Sequence, residues 1–442
     1  MSLVSPLPVC FKLISSKTLS SLPEHGEPEI RRCALDSTLM SLMYLGVERG
    51  DGNFLSTLLD PPSAGQLRAA IDSLEMVGAV EQVSGSTKEN KVVALTPLGM
   101  HLAGIPSPPT VAKMIVMGAL LGCRDAGLVI AAGMTVARSP FLKIMLDRRY
   151  RRDDEEEPAE EVKKKEVLVE REKLAKTVGH SDHALLAAAY DMWSKAEGAA
   201  AKRKVCDSVG LAQDGMREFK QLRDQLDSAL SHAGFTSRAP GCNANGDKWR
   251  VVRAVVISAL SPGGLVRVER SSIKYDETSG GAVEREGDAK ELKFFLRATP
   301  DNGIVDSGAE FRAPQSYHGV PQQRVFIHPS SMNHSTGNYS CPWLVNHSIV
   351  TTSKPFLRDV CEATGFGLLL FGGSLEVKPS EELLVVGGWA RMAAPPRIGV
   401  LVGGLRKKMD ELLMEKVKNV DFDLSAGSVM KLVVKLVQGE GL

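Results

Sequence analysis

Aromatic residues are scarce in this chain. Phenylalanine, tryptophan and tyrosine make up 5% of its 442 residues, so a core of any size must be largely aliphatic. Paired cysteines are missing as well. Cys10, Cys33, Cys123, Cys206, Cys242, Cys341 and Cys361 are scattered, and none stands in a Cys-x-x-Cys pair. An odd, dispersed set fits a reducing compartment and argues against a disulfide framework or a zinc site. Net charge is almost absent, at a formal +1. A nucleic-acid binder with this balance must gather its basic residues locally, because the molecule as a whole exerts no strong pull. No basic n-region leads into a signal-peptide core. The apolar stretch from Met114 is broken by Arg124 and Asp125. Neither half reaches the ~20 residues of a membrane span. It reads as two buried helices, with no membrane partner.

The motifs of self-contained catalysis are missing too. No G-x-x-x-x-G-K-[ST] loop occurs, so the phosphate cradle that makes ATP hydrolysis possible is absent from the sequence. Neither a G-x-S-x-G elbow nor an H-E-x-x-H helix is found. "DDEEE" is a run of charge, not a Mg²⁺-binding motif after a strand. "GHSDH" (179–183) sets His180 and His183 three apart. Lacking further ligands nearby, it is better explained by Ser181 or Asp182 capping a helix than by a metal. "GFGLLLFGG" lacks the G-x-G-x-x-G spacing and reads as a strand with glycine turns. No catalytic and no metal-binding residue is assigned.

What is present divides by pattern. The opening, "VCFKLISSKTLSSLPEHGEPEIRR", starts like a strand and continues as a polar connection. In "ALDSTLMSLMYLGV", Leu35, Leu39, Leu42 and Met43 fall at helical spacing. "LDPPSAGQLRAAIDSLEMVGAV" begins with Pro61 and Pro62, which suit a helix start, and continues with an apolar face of Leu67, Ala70, Ile71 and Leu74. "KVVALTPLG" reads as a strand entering a turn at Pro97. Helices followed by a small β-element suggest a winged helix. The next stretch, to about residue 235, is mostly helical. It contains "DRRYRRDDEEEPAEEVKKKEVLVEREK", a charge block expected to be a solvated insertion or flexible linker whose removal over 150–170 leaves the fold intact. "MREFKQLRDQLDSALSHAGF" places Phe219, Leu222, Leu226 and Leu230 on one face, with Gly234 as a stop. From about 250 short β-like runs alternate with turns ("VRVER", "KFFLRA", "RVFIHP", "WLVNHSIV", "GLLLFGG", "LLVVGGWARM"), the rhythm of a small barrel or sandwich. "IGVLVGGLRKKMDELLMEKV" closes as an amphipathic helix bearing Leu405, Met409, Leu412 and Leu413.

Taken in order, these stretches resemble the C-terminal half of DEAH/RHA-type (DExH-box) RNA helicases. "SLPEHGEPEIRRCALDSTLMSLMYLG", "LDPPS" and "LTPLGMHLAGIPSPPTVAKMIVMGALLGC" resemble the winged helix and the early ratchet segments. "IAAGMTVARSPF", "GHSDHALLAAAYDMW" and "FKQLRDQLDSALSHAGF" resemble the rest of the ratchet domain. "VFIHPSSMNH" and "WLVNHSIVTTSKPFLRDVCEATGFGLLLFGG" resemble the auxiliary oligonucleotide-binding (OB) fold. The likeness covers roughly residues 10–400. Two departures stand out: the family's motor domains have no counterpart in the sequence, and "LSPGGLVRVE" stands where the family often has Leu-Tyr-Pro-Asn; the charged insertion is also longer than expected.

The resemblance implies an α+β multidomain chain. Residues 1–32 would be a remnant of a second RecA-like domain with its linker, 33–103 a winged helix, 104–266 a helical ratchet (HA2-like) domain with the charged insertion 148–173, and 267–442 an OB-fold β-barrel with a C-terminal helix. It also implies that the chain begins where the ATPase ends, and that it guides single-stranded RNA beside RecA-like motor domains that use ATP and Mg²⁺. No cofactor is expected in the chain itself, and its setting would be cytoplasmic or nuclear. His328, Ser330 and Ser331, where strand "RVFI" stops, with Lys354 and Arg358, are the expected RNA-binding residues. A barrel turn whose hydroxyls cap its own backbone stays open as the other reading of His-Pro-Ser-Ser. So does a scaffold role, with the OB fold docking an activator or ribonucleoprotein partner.

Overall fold

The computed structural model describes residues 11–83, 92–144, 158–270, 275–278, 281–284, 292–298, 315–424 and 427–439. The strand expected at the very start falls largely on residues outside this set. The connection behind it carries two short helices, α1 (Ser16–Ser21) and α2 (Glu29–Arg32).

A winged helix follows, made of α3 (Asp36–Tyr44), α4 (Ala64–Val77), the antiparallel pair β1 (Val80–Gln82) and β2 (Val93–Leu95), and α5 (Pro97–Ala103). Pro61 and Pro62 stand before α4 rather than in its first turn. The start is set by a capping box, in which Ser63 accepts from the Gln66 N–H while the Gln66 side chain accepts from the Ser63 N–H. Gly78, at φ 80°, ends the helix in the left-handed conformation that favours glycine. Pro97 opens a helix rather than a turn: Thr96 caps it, and proline suits the first helical position.

The ratchet domain comprises α6 (Pro109–Leu120), α7 (Arg124–Thr135), α8 (Ala159–Val178), α9 (Asp182–Lys195), α10 (Gly198–Val209), α11 (Gln213–His232) and α12 (Trp249–Leu260). The apolar stretch from Met114 forms the two buried helices expected. They meet backbone to backbone at Gly118 and Gly127, where an added Cβ on either would lie 3.1 Å from the other's Cα. The described part of the charge block lies in α8, a helix rather than a flexible linker, and its side chains are mostly solvated, with Glu161 the one buried residue among those described; Ala175 and Val178, past the block, are buried. The β-like text also starts later than 250. "WRVVRAVVISAL" is α12, buried from Val251 to Leu260. A β-branched run enclosed on all sides carries no period to separate helix from strand.

The barrel uses β3 (Leu265–Arg270), β6 (Leu292–Arg297), β8 (Val320–Ile327), β9 (Trp343–Thr351) and β10 (Pro355–Glu362), with a separate hairpin of β4 (Tyr275–Thr278) and β5 (Gly281–Glu284) and a short β7 (Gln315–Tyr317) beside β8. The order β10-β9-β3-β6-β8 is antiparallel throughout and is closed by a parallel β10–β8 pairing. Five strands in this order form an OB barrel. Val266, Phe294, Leu296, Val325, Ile327, Leu344, Leu357 and Val360 fill it. Asp359 takes a left-handed φ of 53°, which lets both Leu357 and Val360 turn inward.

"GFGLLLFGG" corrects another expectation. It forms α13 (Gly365–Phe371), capped by Thr364, with Leu368 to Phe371 buried. A three-stranded sheet of β11 (Leu375–Lys378), β12 (Leu383–Val386) and β13 (Ala390–Ala393) follows. Helices α14 (Pro396–Lys418) and α15 (Ser428–Gly439) end the described chain. Met409 and Leu413 are buried on α14, and Leu405 and Leu412 pack beside them. Among the described residues no helix is long and apolar enough to cross a membrane, and no three His, Cys, Asp or Glu side chains are grouped to hold a metal.

Candidate nucleic-acid interface

Strand β8 alternates. Val325 and Ile327 point into the barrel, so Arg324 and Phe326 point out. On β6, Phe295 lies opposite Arg324 and faces the same side. On β10, Phe356 pairs with Phe326 across the parallel seam. The outer face therefore carries a ladder of cations and rings. The Lys354 Nζ sits 4.6 Å from the Phe326 centroid. The Arg324 guanidinium lies 5.3 Å from Phe326 and 5.6 Å from Phe295, and that of Arg267 lies 4.9 Å from Phe295 and 4.4 Å from Tyr317. Each pair gains from the ring quadrupole. At one end the ladder is closed off, since Tyr317 meets Trp343 and Trp343 meets Trp389. The other end is open, with Phe326 and Phe356 half-buried and Lys354 and Arg358 exposed.

The expected residues gather at that open end, with one exception. Lys354 ends the β9–β10 turn, and Arg358 stands on β10 opposite Ser348. His328 follows β8 and donates its N–H to the Leu357 carbonyl. Its ring meets Phe356 edge-on at 6.0 Å. The Ser330 N–H donates to His328 Nδ1 at 3.1 Å, with the Ser330 hydroxyl 2.7 Å from the same atom. Nδ1 therefore acts as acceptor and the ring proton is assigned to Nε2. Burial, with Arg358 and Lys143 nearby, holds the His328 pKa below its ordinary range. Ser331 is the exception. It is buried, donates its hydroxyl to Asp182 Oδ2 at 2.6 Å, and accepts from the Asn333 N–H at 3.1 Å. It faces the ratchet domain, not solvent.

Sequence reasoning missed the rings. Val325, Phe326 and Ile327 read together as buried β-formers, although the period of two already sets Phe326 on the other face. "GHSDH" resolves as capping: Ser181 accepts from the Ala184 N–H at the start of α9. A pocket of about 420 Å³ between α3 and the α5–α6 connection, lined by Ser37, Ser41, Ile105 and Ser107 among others, holds no titratable side chain and offers no acid–base chemistry.

Comparison with known proteins agrees with this layout. Residues 108–186 match the helicase-associated domain (HA2), ratchet-like. Residues 297–375 match the oligonucleotide/oligosaccharide-binding (OB) fold, and 382–439 the C-terminal domain in RNA helicases. The chain is 29% identical over 425 residues to the ATP-dependent DNA/RNA helicase DHX36 of Mus musculus, covering 94% of this chain and 36% of that protein. It is 28% identical over 445 residues to the ATP-dependent RNA helicase dhx29 of Xenopus laevis, covering 98% of this chain and 28% of that protein. Against DHX36 of Homo sapiens it is 28% identical over 418 residues, covering 93% of this chain and 35% of that protein. The chain thus spans about a third of the length of such relatives, or less. With matches to a ratchet-like helicase-associated domain, an OB fold and an RNA-helicase C-terminal domain following one another, and relatives aligned along nearly all of its length, this chain is similar to the C-terminal region of DEAH-box RNA helicases.

Proposed function

We propose that the chain is an RNA-guiding module of an ATP-dependent DExH-box RNA helicase, holding a single strand on the open end of its barrel while motor domains supply the ATP-driven step. The observation that carries this reading is the cation–aromatic ladder. OB barrels bind oligonucleotides on the face of their second and third strands, flanked by the loop between the fourth and fifth. In this barrel those strands are β6 and β8, and that loop ends in Lys354. Rings at Phe326 and Phe356 offer stacking surfaces that accept any base, and Lys354 and Arg358 offer charge to phosphates. ATP and Mg²⁺ belong in this reading to the motor, because the sequence has no phosphate-cradling loop.

The test is a titration of labelled single-stranded RNA into the chain at two salt concentrations. Lys354→Ala should weaken binding about equally for all sequences and lower the salt slope by about one. Phe326→Ala should weaken binding by roughly 1–3 kcal/mol, the worth of one stacked base, with little change in salt slope. Melts on the same samples separate binding from folding. Unchanged affinity in both variants would take this face out of the RNA path. It would favour a docking module for a helicase activator or ribonucleoprotein partner instead.

A further inference from the structure

Asp182 opens α9 in the ratchet domain, yet its carboxylate is spent on the barrel. Oδ2 accepts from the Ser331 hydroxyl at 2.6 Å and from the Val360 N–H at 2.8 Å, and Oδ1 accepts from the Met332 N–H at 2.9 Å. All three donors come from the barrel. Two of them lie in the turn that continues from His328 and Ser330. The third follows Arg358 and Asp359 on β10. Backbone contacts run alongside: Ser181 bridges Cys361, and the Glu362 N–H donates to the His180 carbonyl at 2.9 Å. Arg253 on α12 reaches Glu362 at 3.3 Å, and Glu362 in turn accepts from the Cys341 N–H and the Ser340 hydroxyl. Burial pushes the Asp182 carboxyl up to about 6. At neutral pH it is mostly ionised, so each of its contacts is charge-assisted.

We propose that Asp182 is a positioning residue. It fixes the strand-facing turn of the barrel to the ratchet helix, so that contacts made at His328 and Ser330 depend on a side chain of the neighbouring domain. Ser331 is the link, with its hydroxyl turned to Asp182 while Ser330, one residue earlier, stays exposed. A displacement of α9 would pass to the turn through three hydrogen bonds. The inference rests on the RNA-guiding reading above.

The experiment is a double-mutant cycle on the full chain, with a fluorescein-labelled oligouridylate of about 15 nucleotides as probe, long enough to cover one OB fold. Asp182→Asn keeps the shape of the side chain but puts an N–H₂ against the Val360 N–H. It should weaken binding by about five-fold. Ser330→Ala should weaken it as well. In the Ser330→Ala background, Asp182→Asn should add little, because both act through one turn. Ser331→Ala, which leaves Asp182 and both backbone donors in place, should lose about two-fold and serves if Asp182→Asn does not fold. A merely structural Asp182 would change the melt and leave affinity per folded molecule untouched. That outcome, or independent and additive losses, overturns the inference alone. A wild-type chain that does not bind the oligouridylate overturns the RNA-guiding reading and this inference with it.

Discussion

His183 sits one residue past Asp182, buried in α9, and neither ring nitrogen has a hydrogen-bond partner among the described residues. Burial, with His347 beside it, pushes its pKa down to about 3. In the unfolded chain the imidazole titrates near its ordinary value of about 6.5. The folded state therefore binds fewer protons between those values. The contribution of His183 is complete above about 6.5 and declines as pH falls toward 3. Over the interval from about pH 7 to 5 it should amount to roughly 2 kcal/mol. His183→Leu should flatten that part of the stability profile, while Asp182, shifted upward, works in the opposite sense in both proteins. Melts of wild type and variant across the interval provide the measurement, and parallel profiles would refute the assignment. Chemistry alone placed hydroxyls and cations around 328–358. It did not separate Ser330 from Ser331, because adjacent residues of one kind differ only in which way the turn points them.

Helix α8 shows how far composition carries. Its residues are charge-dense, and ion pairs such as Lys164–Glu160 and Lys176–Glu172 run along it. From the sequence that reads as a solvated insertion. Yet Arg171 donates to the Val209 carbonyl at 2.6 Å, to the Gly210 carbonyl at 2.7 Å and to the Leu142 carbonyl at 3.0 Å, and it lies 4.8 Å from the Phe141 ring. It caps the C-terminus of α10, where carbonyls lack helical partners. Arg171→Ala should thus destabilise by about 2–3 kcal/mol, since buried carbonyls lose a charged donor. Deleting 150–170 removes the first half of α8, and it should lower the thermal midpoint rather than leave it in place. Calorimetry of the two variants checks both, and a midpoint equal to wild type in the deletion would restore the linker reading. An isolated charged side chain gives no sign in sequence that its partner is a helix end 38 residues away.

One hydrophobic cluster runs through the molecule. It takes in Leu39 and Leu74 of the winged helix, Leu128 and Phe219 of the ratchet domain, Trp343 on the barrel wall, and Met409 and Val437 of the last two helices. Polar contacts follow the same route. His101 on α5 meets the Leu413 carbonyl of α14 at 3.0 Å, Arg406 on α14 donates to the Leu369 carbonyl of α13 at 2.9 Å, and Arg250 on α12 donates to the Gln438 carbonyl of α15 at 2.9 Å. The C-terminal helices therefore tie the winged helix and the ratchet domain to α13. Winged helix and ratchet should unfold in one cooperative transition, because neither closes its core without the other. Scanning calorimetry that resolves them as separate peaks would contradict this.

Read by period, the sequence by itself determined helices with a small β-element first, a mostly helical middle, short strands after it and most of the amphipathic helices, while the α+β class and the ratchet followed from the family resemblance. Local period and capping chemistry act over a few residues and survive without context. It also located the neighbourhood of the candidate site, through His328, Lys354 and Arg358. Only the tertiary structure decided the rest. Runs such as 251–260 and 367–371 are buried on every side, so their helical state has no period to announce it. The ladder from Lys354 to Tyr317 joins strands far apart in sequence that meet in the folded sheet, and its Lys354–Phe326 rung forms where β10 closes onto β8. Asp182 and Ser331 stand 149 residues apart in sequence, and their hydrogen bond exists because ratchet and barrel dock, which no local pattern encodes.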